Sequence, residues 1–149
     1  MKFEGSFSLV TGREEAFALL TDPWSFAPNL PRYHSIKRTR DSSTDVTLKF
    51  RVGKFGISSV KLRLDTVKTP SLAIYKGSGF FMGGPFTVSA GLDLSPVKNE
   101  ETQVDWRGSV QFLNPMIHSF GAKSLESYAI EEIELAVKSI QKIVDPHSA

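Results

Sequence analysis

The chain has 149 residues and contains no cysteine. Thiol catalysis, cysteine-ligated zinc, iron–sulfur clusters and disulfide frameworks are therefore excluded. The histidines, His34, His118 and His147, do not occur at metal-ligand spacing, so neither a metal site nor a cofactor is predicted. No stretch of about eighteen apolar residues occurs, which argues against a membrane-spanning helix. The N-terminal residues alternate in polarity, unlike a signal peptide, and the expected compartment is the cytoplasm.

Charge and catalytic motifs are also scarce. The formal net charge of +2 is too small to indicate nucleic-acid binding. We interpret the basic stretch Arg32–Arg40 as a solvated strand edge, and we predict no nucleic-acid partner. No serine lies in a Gly-x-Ser-x-Gly motif, and neither His34 nor His118 has an obvious acidic partner in sequence. We therefore expect no catalytic residues.

What the sequence does contain is a long series of alternating segments. Residues 2–10, 46–52, 60–65, 86–94 and 104–112 alternate apolar with small or polar side chains, as half-buried strands do. Residues 33–40 and 72–78 are weaker strand segments. Short connections and one polar face indicate a curved antiparallel sheet of six to seven strands. On this pattern Asp65, Asp93 and Asp105 lie on the outer face.

Two kinds of helix accompany the strands. A short helix after Gly12 and a broken helical piece over residues 24–29 follow the first strand and are expected to interrupt the first hairpin. From about Pro115 to Val144, apolar residues recur every three or four positions, which predicts a long helix with Gly121 in its first third. We read Glu131, Glu132 and Glu134 as its solvated face. The chain is thus expected to form one α+β domain over residues 1–149, with the sheet wrapped on the C-terminal helix.

The sixteen aromatic residues concentrate at element ends and in non-repetitive segments. The segment Phe80-Phe81-Met82 is expected to be a loop, because glycines flank it. Three apolar side chains in a loop can fold over the core, cap a cavity, or contact lipid or a partner. We hypothesise that this segment gates a cavity.

Several segments together resemble the carbon monoxide dehydrogenase CoxG-like family. They are MKFEGSF at the start, REEAFALLTDP, NLP at 29–31, KGSGFFMGGPF at 76–86 and TQVDWRGSV at 102–110. The resemblance runs over about residues 1–144. It implies the helix-grip fold shared by START lipid-transfer domains, birch-pollen-type allergens and polyketide cyclases. It also implies a cavity between helix and sheet.

The resemblance further implies a function: binding of an apolar small molecule or lipid, such as a quinone, in an accessory role for a molybdenum hydroxylase. Peripheral contact with a membrane is part of that expectation. The predicted ligand-binding residues are Trp24, Phe26, Leu30, Phe81, Met82, Phe86, Trp106, Val110, Phe120, Ser124 and Tyr128. Two alternatives stay open. One is a polyketide cyclase or dehydratase-type enzyme, which needs a polar dyad such as His34 or His118 with Tyr128. The other is an interaction module without a ligand.

Overall fold

The computed structural model describes residues 1–53, 56–81, 83–113 and 121–146. Seven strands and three helices, with a short 3-10 turn, follow one another along these residues. They are β1 (Lys2–Leu9), α1 (Arg13–Leu20), α2 (Pro23–Phe26), the 3-10 turn (Ala27–Asn29), β2 (Tyr33–Arg38), β3 (Thr44–Arg51), β4 (Ile57–Lys68), β5 (Leu72–Phe81), β6 (Gly84–Lys98), β7 (Glu101–Phe112) and α3 (Ala122–Val144).

All neighbouring strands are antiparallel, in the order β1-β7-β6-β5-β4-β3-β2. The expected sheet is thus confirmed. The expectation that the short helices interrupt a hairpin is wrong, because β1 and β2 form opposite edges of the sheet. Helices α1 and α2 therefore carry the chain from one edge to the other. Asp22 accepts a hydrogen bond from the Trp24 amide at 3.2 Å and Pro23 starts α2, a favourable helix beginning.

The long helix begins later than the apolar stripe predicts. Gly121 immediately precedes α3 and has a φ of 136°, a conformation that L-residues rarely adopt and that no helix interior contains. The expected position of Gly121 inside the helix is therefore wrong. The predicted start at Pro115 lies outside the described residues. Twenty-three residues give α3 a length of roughly 35 Å.

The segment at residues 80–81 is also not the loop that its glycines suggest. Phe80 and Phe81 are the last two residues of β5 and pair with Pro85 and Gly84 of β6. Because side chains alternate along a strand, the two rings point to opposite faces. Phe81 is buried, whereas 70% of Phe80 is exposed. Met82 lies outside the described residues.

The core differs from one end of α3 to the other. Against its C-terminal half lies a cluster that we call the filled end. It comprises Leu9, Ala16, Phe17, Leu20, Leu94 and Val104, packed with Ile140 and Val144. Against its N-terminal half lies a second cluster, which we call the hollow end. Its buried members are Val52, Val60, Phe81 and Phe86, with Leu125 and Tyr128 from the helix. A third cluster covers Val46 and Leu48 with the 3-10 turn.

Candidate functional site

The inner face of the sheet and α3 enclose a crevice. Its first section, of about 280 Å³, lies at the hollow end. Its second section, of about 290 Å³, continues toward α1 and the 3-10 turn. Both sections are lined by Leu48, Phe50, Leu62, Ala90, Glu132 and Ile133. Because they share these walls, the two sections form one continuous space.

The far wall of the first section is aromatic. Phe112 lies beside Phe86 and Phe81, with ring centroids 5.5 Å and 6.1 Å apart respectively. Val88 and Val110 extend the wall along β6 and β7, where the register places them opposite each other. Aliphatic and aromatic walls of this kind favour an apolar occupant, because the contact surface offers few hydrogen-bonding partners.

The structure brings six of the predicted site residues to the crevice. The first section is lined by Phe81, Phe86, Val110 and Tyr128. The second is lined by Phe26 and Leu30, which α2 and the 3-10 turn carry to the sheet edge. Phe26 also packs edge-on against the ring of Tyr75, with centroids 5.9 Å apart.

Three predicted residues lie elsewhere. Trp24 is 45% exposed, and its indole Nε1 donates to Thr44 Oγ1 at 3.3 Å. The Trp106 ring lies over Gly5, where an added Cβ would approach Cζ2 to 2.7 Å, so the close contact requires glycine. Ser124 is exposed on α3. None of the three lines the crevice; Met82 and Phe120 lie outside the described residues.

The main polar feature of the crevice is one that the sequence pattern missed. Glu132, expected on the solvated face of α3, points toward the sheet, and only 11% of its side chain is exposed. Arg32 Nε and Nη2 donate to Glu132 Oε2 and Oε1, both at 2.9 Å. The sequence held a signal, since Glu132 follows Ser124 and Tyr128 at spacing four and so belongs to their stripe.

Tyr128 lies one helical turn before Glu132. Its hydroxyl donates to the Arg51 carbonyl at 3.1 Å, which anchors α3 to the end of β3. The pKa of Tyr128 is raised, first by burial and then by the Glu132 carboxylate, with the Arg32 guanidinium opposing. Tyr128, Glu132 and Arg32 thus form a polar cluster inside an otherwise apolar crevice.

The histidine part of the enzyme alternative finds no geometric support in this crevice. His34 is exposed on β2 and does not line either section, and His118 lies outside the described residues. Among residues 1–53, 56–81, 83–113 and 121–146, no group of three or more His, Asp or Glu could hold a metal ion. Within the same residues, no helix is both long and apolar enough to cross a bilayer.

Comparison with known proteins adds family and fold. The model of the carbon monoxide dehydrogenase CoxG family matches residues 5–144. A conserved protein from Geobacillus kaustophilus superimposes with a TM-score of 0.81 at 20% identity, covering 97% of this chain and 95% of that one. No curated protein sequence matches this chain.

Two further structures resemble the fold at lower identity. A START superfamily protein from Mycobacterium smegmatis has a TM-score of 0.68 at 10% identity and covers 99% of both chains. The Zhui aromatase/cyclase from Streptomyces has a TM-score of 0.73 at 11% identity, covering 100% of this chain and 99% of that one. The architecture is therefore the helix-grip fold of START-like proteins.

Proposed function

Because this chain belongs to the carbon monoxide dehydrogenase CoxG family, we propose that it binds an apolar small molecule or lipid between α3 and the sheet. The observation that carries the proposal is the continuous crevice, whose sections of about 280 and 290 Å³ are walled by aliphatic and aromatic side chains. A cavity near 300 Å³ falls at the lower limit of typical ligand pockets.

A packed core would not leave such a space. Protein interiors are close-packed, and an apolar void loses dispersion contacts along its whole wall. At the hollow end, the side chains that face α3 come from strands, and Val88, Val110 and Phe112 are only partly buried. An apolar ligand would supply the missing contacts, so binding would stabilise the protein.

We further propose a quinone or similar molecule as the ligand and a molybdenum hydroxylase as the partner, in line with the family's expected accessory role. The polar cluster supports a ligand with a hydrogen-bonding group over a pure hydrocarbon. It gives less support to acid–base catalysis, because both Glu132 oxygens are engaged by Arg32. The carboxylate is therefore part of an ion pair and does not face the crevice as an unpaired base.

Peripheral membrane contact is the remaining part of the proposal. Phe80, Ile57 and Leu113 are 70%, 66% and 60% exposed, next to the hollow end. The register places Lys49 opposite Ser59 and Arg51 opposite Ile57, so cations flank the apolar side chains on the outer face. An apolar tip with flanking cations suits an anionic lipid surface.

The experiment that tests the binding function is mass spectrometry of protein purified gently from its own source. We expect a native mass spectrum with an added small mass, and an organic extract that identifies it as an apolar molecule. Protein without such a mass, which also fails to take up a neutral apolar dye, would contradict the proposal. That result would favour the ligand-free interaction module.

A further inference from the structure

The Arg32 guanidinium is only partly used by its carboxylate partner. Arginine has five N–H donors in a planar fork. Nε and Nη2 each donate to Glu132, and Tyr128 is a further, minor electrostatic neighbour. The Arg32 side chain is 41% exposed and lines the second section of the crevice. The Glu132 carboxylate therefore leaves the Nη1 side of the guanidinium available for another acceptor.

The position of the pair is equally informative. Glu132 lines both sections of the crevice, so the pair lies where they join. The Arg32 carbonyl accepts from the Lys49 amide at 2.9 Å, which fixes the arginine backbone to β3. Glu132 is fixed by α3. A donor held from both sides at the middle of an apolar channel is preorganised to bind one acceptor atom of a ligand.

We propose that Arg32, positioned by Glu132, donates a hydrogen bond to the carbonyl oxygen of a neutral, otherwise apolar ligand that occupies the crevice. This inference rests on the proposed binding function and names the ligand class within it. Arg32 is then the residue that determines specificity, and the two sections accommodate apolar groups on either side of the carbonyl.

The charge balance favours a neutral carbonyl over an acid. Arg32 is already neutralised by Glu132, whose side chain is only 11% exposed. A ligand carboxylate would bring a second anion beside Glu132 in an apolar space, at a large desolvation cost. A hydrocarbon would cover the free donors of Arg32 without replacing their water, which also lowers affinity.

The test measures displacement of the neutral dye Nile red from the full chain by three molecules of equal chain length: a dialkyl ketone, the alkane and the fatty acid. The key variant is Arg32→Met/Glu132→Met, which removes both charges together and leaves no unpaired buried ion. Differences in water solubility between ketone and alkane are the same for every protein. The ketone-to-alkane affinity ratio, compared between proteins, therefore reports on the site alone.

A matched control exists on the outer face of the sheet. Arg63 Nε donates to Asp45 at 2.8 Å, and the two side chains are 42% and 6% exposed, close to the values of the inner pair. We expect the ketone-to-alkane ratio to fall about 10-fold in the inner double variant. It should be unchanged in Arg63→Met/Asp45→Met, and in the wild type the fatty acid should bind more weakly than the ketone at neutral pH.

Each contrary result has its own meaning. A ratio that is the same in the inner variant and the wild type would overturn the role of Arg32 and leave apolar binding intact. Failure of Nile red and all three molecules to bind would overturn the binding function itself. The carbonyl stretch of the isotope-labelled ketone needs no variant. Bound to the wild type, it should move to lower frequency than in hexane, and an unshifted band would also overturn the proposal.

Discussion

The two ends of α3 cover the same sheet in different ways. At the filled end, Leu9, Leu20 and Val104 have at most 1% of their surface exposed. At the hollow end, the buried residues Val60, Phe81 and Phe86 keep 6–8% exposure, and most of the side chains around them are only partly buried. The difference lies in α1, which inserts Phe17 and Leu20 between the sheet and the C-terminal half of α3.

This contrast assigns different tasks to the two ends. Close packing at the filled end provides stability, since buried apolar area is the main favourable contribution to folding. Incomplete packing at the hollow end leaves space for a ligand at the expense of stability, a common arrangement at functional sites. Matched substitutions at the two ends should therefore separate folding from binding.

Truncation of a leucine at each end should give the largest effect. Leu20→Ala, at a side chain that is 1% exposed, should lower the free energy of unfolding by about 3 kcal/mol. Leu125→Ala, at a partly buried side chain facing the crevice, should lower it by about 1 kcal/mol. Urea denaturation measures both. Equal losses would show that the hollow end is packed as well as the filled end.

Two tyrosines give a second, smaller contrast. Tyr75 donates to the Leu20 carbonyl at 2.6 Å in a buried bond, whereas Tyr128 donates to the Arg51 carbonyl in an exposed one. Tyr75→Phe should cost about 1–3 kcal/mol because a buried carbonyl loses its donor, and Tyr128→Phe about 0.5 kcal/mol. Urea denaturation at neutral pH would detect the difference.

The same tyrosines predict a dependence on alkaline pH. Burial raises the pKa of Tyr75, with a further contribution from the Asp22 charge. The folded chain therefore keeps this proton where the unfolded chain, with an ordinary pKa of about 10, has lost it. Stability should fall as the pH rises above about 10, and Tyr75→Phe should flatten this fall. A fall of equal slope in Tyr75→Phe would contradict the assignment.

The apolar tip beside the hollow end should give a smaller effect, on membrane binding. Phe80→Ser should weaken sedimentation with anionic vesicles about 5-fold, equivalent to about 1 kcal/mol of apolar burial. Val67→Ser is the control, because Val67 is 44% exposed but lies near the opposite end of β4. Equal loss in both variants, or no binding by the wild type, would contradict the membrane contact.

Local patterns were sufficient to predict the architecture. Alternation along β3, β6 and β7 defined an inner and an outer face, and the stripe through Leu125, Ile133 and Ile140 defined the inner side of α3. These patterns persist because each face meets either the core or water. Patterns fail where the deciding contact is remote. The position of β1 at one edge and β2 at the other depends on how α1 and α2 cross the sheet, which no local pattern records.

The candidate site was predicted only in part, for the same reason. Phe81, Phe86, Val110 and Tyr128 lie on inward-facing positions that alternation and spacing identify. Glu132 looked solvated because acidic residues on a helix usually are, and its partner Arg32 is a hundred residues away in the chain. Trp106 was expected at the crevice but is held over Gly5, a contact that depends on the register between β1 and β7.

The central claim, that the hollow end binds an apolar ligand, is tested most directly by filling it. Ala129→Phe places a ring in the first section of the crevice, and Ile130→Phe places one next to it on the outer side of α3, where Ile130 is 42% exposed. Titration with Nile red should show binding to the wild type and to Ile130→Phe. Binding to Ala129→Phe should fall by at least about 10-fold without loss of thermal stability. Undiminished binding to Ala129→Phe would contradict the account.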